Sequence, residues 1–232
     1  MIELSLYIDI EGFAKKFETG AKKSFIDLTN DLFKLGKNNF NHLSIVQFGG
    51  DGFLIKEVLT YTNNLNRFID IASALLQSIC LRGGIGRVQI SSGHLADISG
   101  LYSEELRNAI SRDKQNILHE SNNVMLINSV IGTSIINCFK LKGPSGPLLL
   151  IDNLLITDEE KHNYIHYNMN GINVYGVNWL NRKNENISNM LGTLGIDNVT
   201  LLDKFRAYLN ENDLHETWEE EAKKLIHLTC SM

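Results

Sequence analysis

Residues 3–13 read ELSLYIDIEGF, and through Ile10 they alternate apolar with polar: Leu4, Leu6, Ile8 and Ile10 fall on one face, Ser5, Tyr7 and Asp9 on the other. That period of two predicts a strand with one buried face, ending in a carboxylate and broken at Gly12. Downstream, Phe13, Phe17, Phe25, Leu28, Leu32 and Phe33 recur at roughly helical spacing among lysines and acids, which predicts a long first helix. Two β-rich runs, His42 to Phe48 and Phe53 to Val58, flank Gly49-Gly50-Asp51-Gly52, the composition of a tight hairpin with Asp51 at its tip. Leu65 to Leu81 is apolar at helical period, and Arg82-Gly83-Gly84-Ile85 then opens another strand. The order is βαββαβ. It predicts an α+β fold with a ferredoxin-like antiparallel sheet and both helices on one face.

The rest of the chain is less regular. Ser103 to His119 reads as helix, Val124 to Ile127 as a short strand, and Gly132 to Lys142 as an amphipathic helix stopped by Gly143 and Pro144. Leu148 to Asp152 reads as a buried strand, Tyr164 to Leu180 as two strands around the turn pair Asn170-Gly171, and Leu201 to Leu228 as mostly helix. With 232 residues, 43% of them hydrophobic, one elaborated domain over 1–232 is expected, its core running to about residue 155 and its C-terminal elaboration over 156–232. A formal net charge of −5 and the absence of a basic run argue against a polynucleotide partner. Cys80, Cys138 and Cys230 are odd in number and lack CxxC spacing, so they read as free thiols packed in apolar surroundings of a reducing cytoplasm. The acidic start and the lack of an apolar run near ~20 residues exclude a signal peptide and a membrane span from the expectation.

The chemistry centres on Asp9 and Asp51. In a βαββ order the first strand lies beside the hairpin, so their carboxylates converge. Two adjacent carboxylates repel unless a cation sits between them, and hard oxygen donors select Mg²⁺ or Mn²⁺, two such ions suiting phosphoryl transfer. The turn Ile10-Glu11-Gly12-Phe13 leads into a helix N-terminus, whose N–H groups and dipole favour a triphosphate. Singly, an aspartate before glycine is an ordinary helix cap and Gly-Gly-Asp-Gly an ordinary turn; it is their order and placement together that favour a site. His162 and His166 are i, i+4 but fall in loop and strand, so they read as surface residues, and Trp179 and Trp218 read as core anchors.

These stretches resemble class III nucleotide cyclases. Tyr7-Ile8-Asp9-Ile10-Glu11-Gly12-Phe13 resembles their first metal strand, Phe48-Gly49-Gly50-Asp51 their second metal aspartate, Arg82-Gly83-Gly84-Ile85 their fourth strand, and residues 132–141 (GTSIINCFKL) their glycine-led transition-state helix. The likeness spans roughly residues 4–152. It departs from the purine enzymes in four places: Ile136 replaces their asparagine, with Asn137 one step away, Lys140 replaces their arginine, and Gln47 and Ser129 match neither purine code at the base-reading positions. In its doubled glycine after Arg82, compact domain and helical tail, the chain is more similar to the bacterial pyrimidine cyclases of Pycsar antiphage systems, which make cyclic CMP or cyclic UMP.

The resemblance implies that Asp9, Asp51 and the Ile10 carbonyl hold two divalent ions. Residues Glu11, Gly12 and Phe13 with Arg82 would grip phosphates, Lys140 would act on the transition state, and Gln47 and Ser129 would read the base. It also implies a cytoplasmic homodimer with active sites shared between subunits. A purine cyclase, a palm enzyme joining two nucleotides, and a cyclase-shaped module that binds nucleotide without turnover are the alternatives.

Overall fold

The computed structural model describes residues 3–11, 22–40, 43–48, 52–57, 65–94, 96–113, 117–120, 123–126, 130–141, 143–169, 171–197 and 200–230. In chain order the elements are β1 (Glu3–Ile10), α1 (Lys22–Asn38), β2 (Leu43–Phe48), β3 (Gly52–Glu57), α2 (Leu65–Leu81), β4 (Gly86–Gly93), β5 (Ala96–Asp97) and α3 (Glu104–Asp113). There follow β6 (Ile117–Glu120), β7 (Asn123–Leu126), β8 (Val130–Ile131), α4 (Thr133–Lys140), β9 (Leu149–Asp152), β10 (Ile165–Met169), β11 (Ile172–Val177), α5 (Glu185–Leu194), α6 (Leu201–Glu211) and α7 (Glu216–Cys230).

The main sheet has seven strands in the order β10-β11-β9-β4-β1-β3-β2. Its β4-β1-β3-β2 half is antiparallel throughout, the ferredoxin-like order expected of βαββαβ. β9 joins β4 in parallel and the β10–β11 hairpin extends that edge. Alternation in β1 decides which face is which. Leu4, Leu6, Ile8 and Ile10 enter a core with Leu28, Leu32 and Leu35 of α1 and Phe68, Leu75, Leu76 and Ile79 of α2. The other face carries Ser5, Tyr7 and Asp9, and among the described residues α4 alone is packed on its centre, through a small cluster of Tyr7, Leu54, Ile135 and Cys138.

The C-terminal elements share the first core rather than forming their own. Trp179 is fully buried, donates to the Pro147 carbonyl at 2.7 Å and meets Phe205 of α6 edge-on. Gln77 of α2 donates to the Trp179 and Arg182 carbonyls at 2.8 and 2.9 Å, and buried Asp70 accepts from Arg182, Asn184 and Asn186. Both tryptophans are thus core residues, as expected.

Several expectations change. The helix expected over 103–119 ends at Asp113, because Ile117–Glu120 pairs with Asn123–Leu126 as a hairpin. Residues 82–85 form the turn before β4 and not its first residues, and 201–228 contains two helices. α5 was not anticipated at all. Phe33 lies on the outer side of α1 and is 75% exposed, and Cys230 is exposed rather than packed, while Cys80 and Cys138 are buried and burial pushes each thiol up to about 12. Among the described residues no helix is long and apolar enough to cross a membrane.

Candidate active site at the end of β1

β1 carries Asp9 to the end of the sheet face left open by α1 and α2. Its neighbour across β4 is Arg87, in direct register. On the other side the β1–β3 register runs to Ile8 opposite Phe53, and one further step of it brings Gly52 level with Asp9. A Cβ at Gly52 would collide with the Tyr7 side chain, whose hydroxyl lies against it, so only glycine lets the hairpin reach this side of β1. Asp51, next in sequence, lies outside the described residues, as do Gly12, Phe13 and Ser129.

Charge at this end is balanced by burial and by one arginine. Burial pushes the Glu11 carboxyl above its ordinary 4.5, against the attraction of Arg87 and a hydrogen bond with Trp218 of α7. Burial likewise draws Arg87 below its ordinary value, opposed by Glu11, Asp9 and Tyr167. The Arg87 guanidinium donates to the Pro144 carbonyl at 3.1 Å, so the loop before β9 fixes it over this face. Burial and the neighbouring Glu221 raise the Tyr167 phenol. The cluster therefore comprises Asp9, Glu11 and Arg87, with α7 closing it through Trp218 and Glu221.

Asp9 offers a hard, half-buried carboxylate and so suits Mg²⁺ or Mn²⁺, but Arg87 offsets its single negative charge, so a divalent ion there needs a second carboxylate. Among the described residues no three His, Cys, Asp or Glu groups cluster as ligands. His162 and His166 are exposed, and His166 contacts Asn173 and the Tyr175 ring.

Beside β1 opens a cleft of about 500 Å³ between Ile10 and Glu11, the Arg82–Ile85 turn, the start of α1, and α6. Arg82 lines it but is committed: its guanidinium binds Asp31 at 2.8 Å and lies 3.7 Å from Asp27, and Ser78 donates to the same Asp31 at 2.5 Å. Arg82 thus ties the end of α2 to α1.

The remaining sequence candidates separate. On α4, Ile136 and Lys140 are exposed, while Asn137 donates to the Ser92 carbonyl at 2.7 Å and faces the sheet. Gln47 is exposed on the edge strand β2 and pairs in register with Phe53, itself opposite Ile8; this sets Gln47 on the helix-covered face, opposite to that of Asp9. Sequence reasoning missed Arg87, whose alternation with Val88 and Ile90 was the available signal, and missed the reach of α6 and α7 to this end.

By sequence, neither a family profile nor a curated protein matches the chain. Solved structures similar to it include the guanylyl cyclase Cya2, 11% identical with a TM-score of 0.43 over 76% of this chain and 91% of that one. The adenylyl cyclase CyaB from P. aeruginosa is 10% identical, with a TM-score of 0.41 over 76% and 93%. A guanylyl cyclase domain of the RhoGC fusion protein from the aquatic fungus Blastocladiella emersonii is 10% identical, with a TM-score of 0.39 over 76% and 95%.

Proposed function

We propose that this chain is a nucleotide cyclase, closing a nucleoside triphosphate to its 3′,5′-cyclic monophosphate with release of pyrophosphate. The observation that carries the reading is the meeting of β1 and the β2–β3 hairpin. Asp9 stands near the end of its strand on the open face at the level of Gly52, one residue from Asp51, and the next residues, Ile10 and Glu11, line a cleft. In the reaction the ribose 3′-oxygen bonds to the α-phosphorus, its proton leaves, and the bond to the β-phosphate oxygen breaks.

Asp9, Asp51 and the Ile10 carbonyl would hold divalent cations, which lower the pKa of the 3′-hydroxyl and neutralise phosphate charge. The chain's own part is positioning. Arg87 attracts Asp9 and Glu11, Trp218 of α7 hydrogen-bonds Glu11, and α6 lines the adjoining cleft. Exposed Lys140, with Ile136 and Phe139 beside it on α4, would serve the site of a second copy, so the active form would be a homodimer. A pyrimidine substrate, and a product acting as a messenger in antiphage defence, are the finer reading. It is supported by the mixed donor and acceptor of Gln47 and Ser129, while the helix-covered face on which Gln47 lies, opposite to that of Asp9 and of α4, weighs against Gln47 as the base reader.

The deciding experiment incubates the purified chain and its Asp9→Asn variant with ATP, GTP, CTP and UTP plus Mn²⁺ and identifies products by mass. Wild type is expected to form a cyclic monophosphate, and Asp9→Asn to lower kcat by about a thousandfold or more, near 4 kcal/mol of barrier. A dinucleotide product, or equal turnover by Asp9→Asn, would sink the assignment; preference for ATP or GTP would remove only the pyrimidine part.

A further inference from the structure

We infer that the cleft beside β1 is a polyphosphate site whose available cation is Lys204, supplied by α6 from the C-terminal elaboration. The inference rests on the cyclase reading for its substrate but not for its test. Among the described residues three cations line the cleft: Lys23, Arg82 and Lys204. Lys23 is paired with Asp27 at 2.6 Å, and Arg82 with Asp31 at 2.8 Å, so neither has its charge to spare. Lys204 is exposed and makes no ion pair among the described residues.

The acids of the cleft are placed so as to leave that charge usable. Glu11 is hydrogen-bonded with Trp218 and attracted by Arg87, so its charge is engaged outside α6. Glu211 lies two turns along α6 from Lys204, at the far rim. The opposite wall is the Gly83-Gly84 turn, where Gly83 adds no side chain and a Cβ at Gly84 would strike Ser24 of α1. A cleft of about 500 Å³ with backbone at its Gly83-Gly84 wall and, among the described residues, one ammonium outside any ion pair suits an extended chain of phosphates carried with its Mg²⁺. A long, rotatable lysine reaches such a ligand as a point charge, without the fork geometry that Arg82 has given to Asp31.

The probe is inorganic pyrophosphate with Mg²⁺, titrated calorimetrically into the full chain. Wild type should bind it, Lys204→Ala should weaken binding about ten-fold, and Lys204→Arg should restore most of the loss. Because Lys204 is exposed, its variants should keep the wild-type melting temperature. In turnover assays Lys204→Ala should raise KM for the nucleotide more than it lowers kcat. Equal pyrophosphate affinity in wild type and Lys204→Ala, or no binding by wild type, overturns the inference. Pyrophosphate binding that depends on Lys204 in a chain that cyclises no nucleotide supports the slot and overturns the cyclase reading instead.

Discussion

Glu11 is the residue at which site chemistry meets folding stability. Its carboxyl is raised above 4.5, first by burial and only partly lowered by Arg87 and Trp218. In the unfolded chain it ionises near 4.5, so between that pH and its raised folded value the native state binds more protons than the unfolded one. Stability contributed by this group therefore falls as pH rises through the window. Glu11→Gln cannot ionise and still offers Trp218 an acceptor. Relative to wild type, the variant should gain in melting temperature on going from pH 4.5 to pH 7.5, as followed by circular dichroism; a relative loss over that interval would show that Arg87, and not burial, governs the group. Asp31, raised by burial against Ser78 and Arg82, titrates with the same sign in both proteins and cancels in the comparison. Of these residues Asp9 was legible, because alternation alone places it on the polar face of β1. Arg87 was not, because a lone arginine in a strand reads as solvated until its partner across the sheet is known.

At the scale of elements, periodicity predicted β1, β3 and α2 within a residue or two, although both faces of β1 and β3 are covered and α2 is buried on every side from Phe68 to Cys80. It failed where pairing or packing decided. β6 is four residues, too short for a period to show, and exists by pairing with β7, the short strand that the sequence does show at Val124 to Ile127. α5 did carry signals: Asn184 accepts from the Ile187 amide as its N-cap, Ile187, Met190, Leu191 and Leu194 repeat at helical spacing, and Gly195 closes it at φ 71°. Two glycine substitutions test the packing with opposite signs. At Gly93 a Cβ would stand 2.5 Å from the Ser134 amide nitrogen and 2.7 Å from its Cα, so α4 must lift from β4. Gly93→Ala should cost about 1–3 kcal/mol in urea unfolding and loosen the Asn137 contact with Ser92. Gly192, exposed in α5 with nothing within 4 Å, should instead stabilise on Gly192→Ala by about 0.5–1 kcal/mol. A neutral Gly93→Ala would mean that α4 is not held as closely to the sheet as this spacing requires.

Over the whole molecule, one core joins the two ends of the chain. The Glu- and Lys-rich stretch from Leu201 reads in sequence as a wet-faced helical tail, and its outer side is so. Its inner side, however, buries Leu201, Phe205, Trp218, Ala222 and Leu225 among residues of β1, α1 and α2. The amphipathic pattern was legible, but its destination was not, because nothing local tells a helix which strand end it will cover. Here that end is the one where β1 delivers Asp9 and Glu11, so the tail both packs against α2 and lines the candidate site. Shortening the chain to residues 1–214 removes α7, and with it Trp218 and Leu225, each worth about 1.5–3 kcal/mol of burial in a domain whose total stability is of order 5–15 kcal/mol. The shortened chain should lose a single cooperative thermal transition and bind a hydrophobic dye. Trp218→Phe keeps most of the buried ring and removes only the indole N–H that meets Glu11. It should fold, with a small loss in melting temperature that is larger at pH 7.5 than at pH 4.5, because the ionised carboxylate is the form that loses its donor. A chain of 1–214 that melts cooperatively at the wild-type temperature would show that α7 is an appendage, and an equal loss for Trp218→Phe at both pH values would detach it from the site.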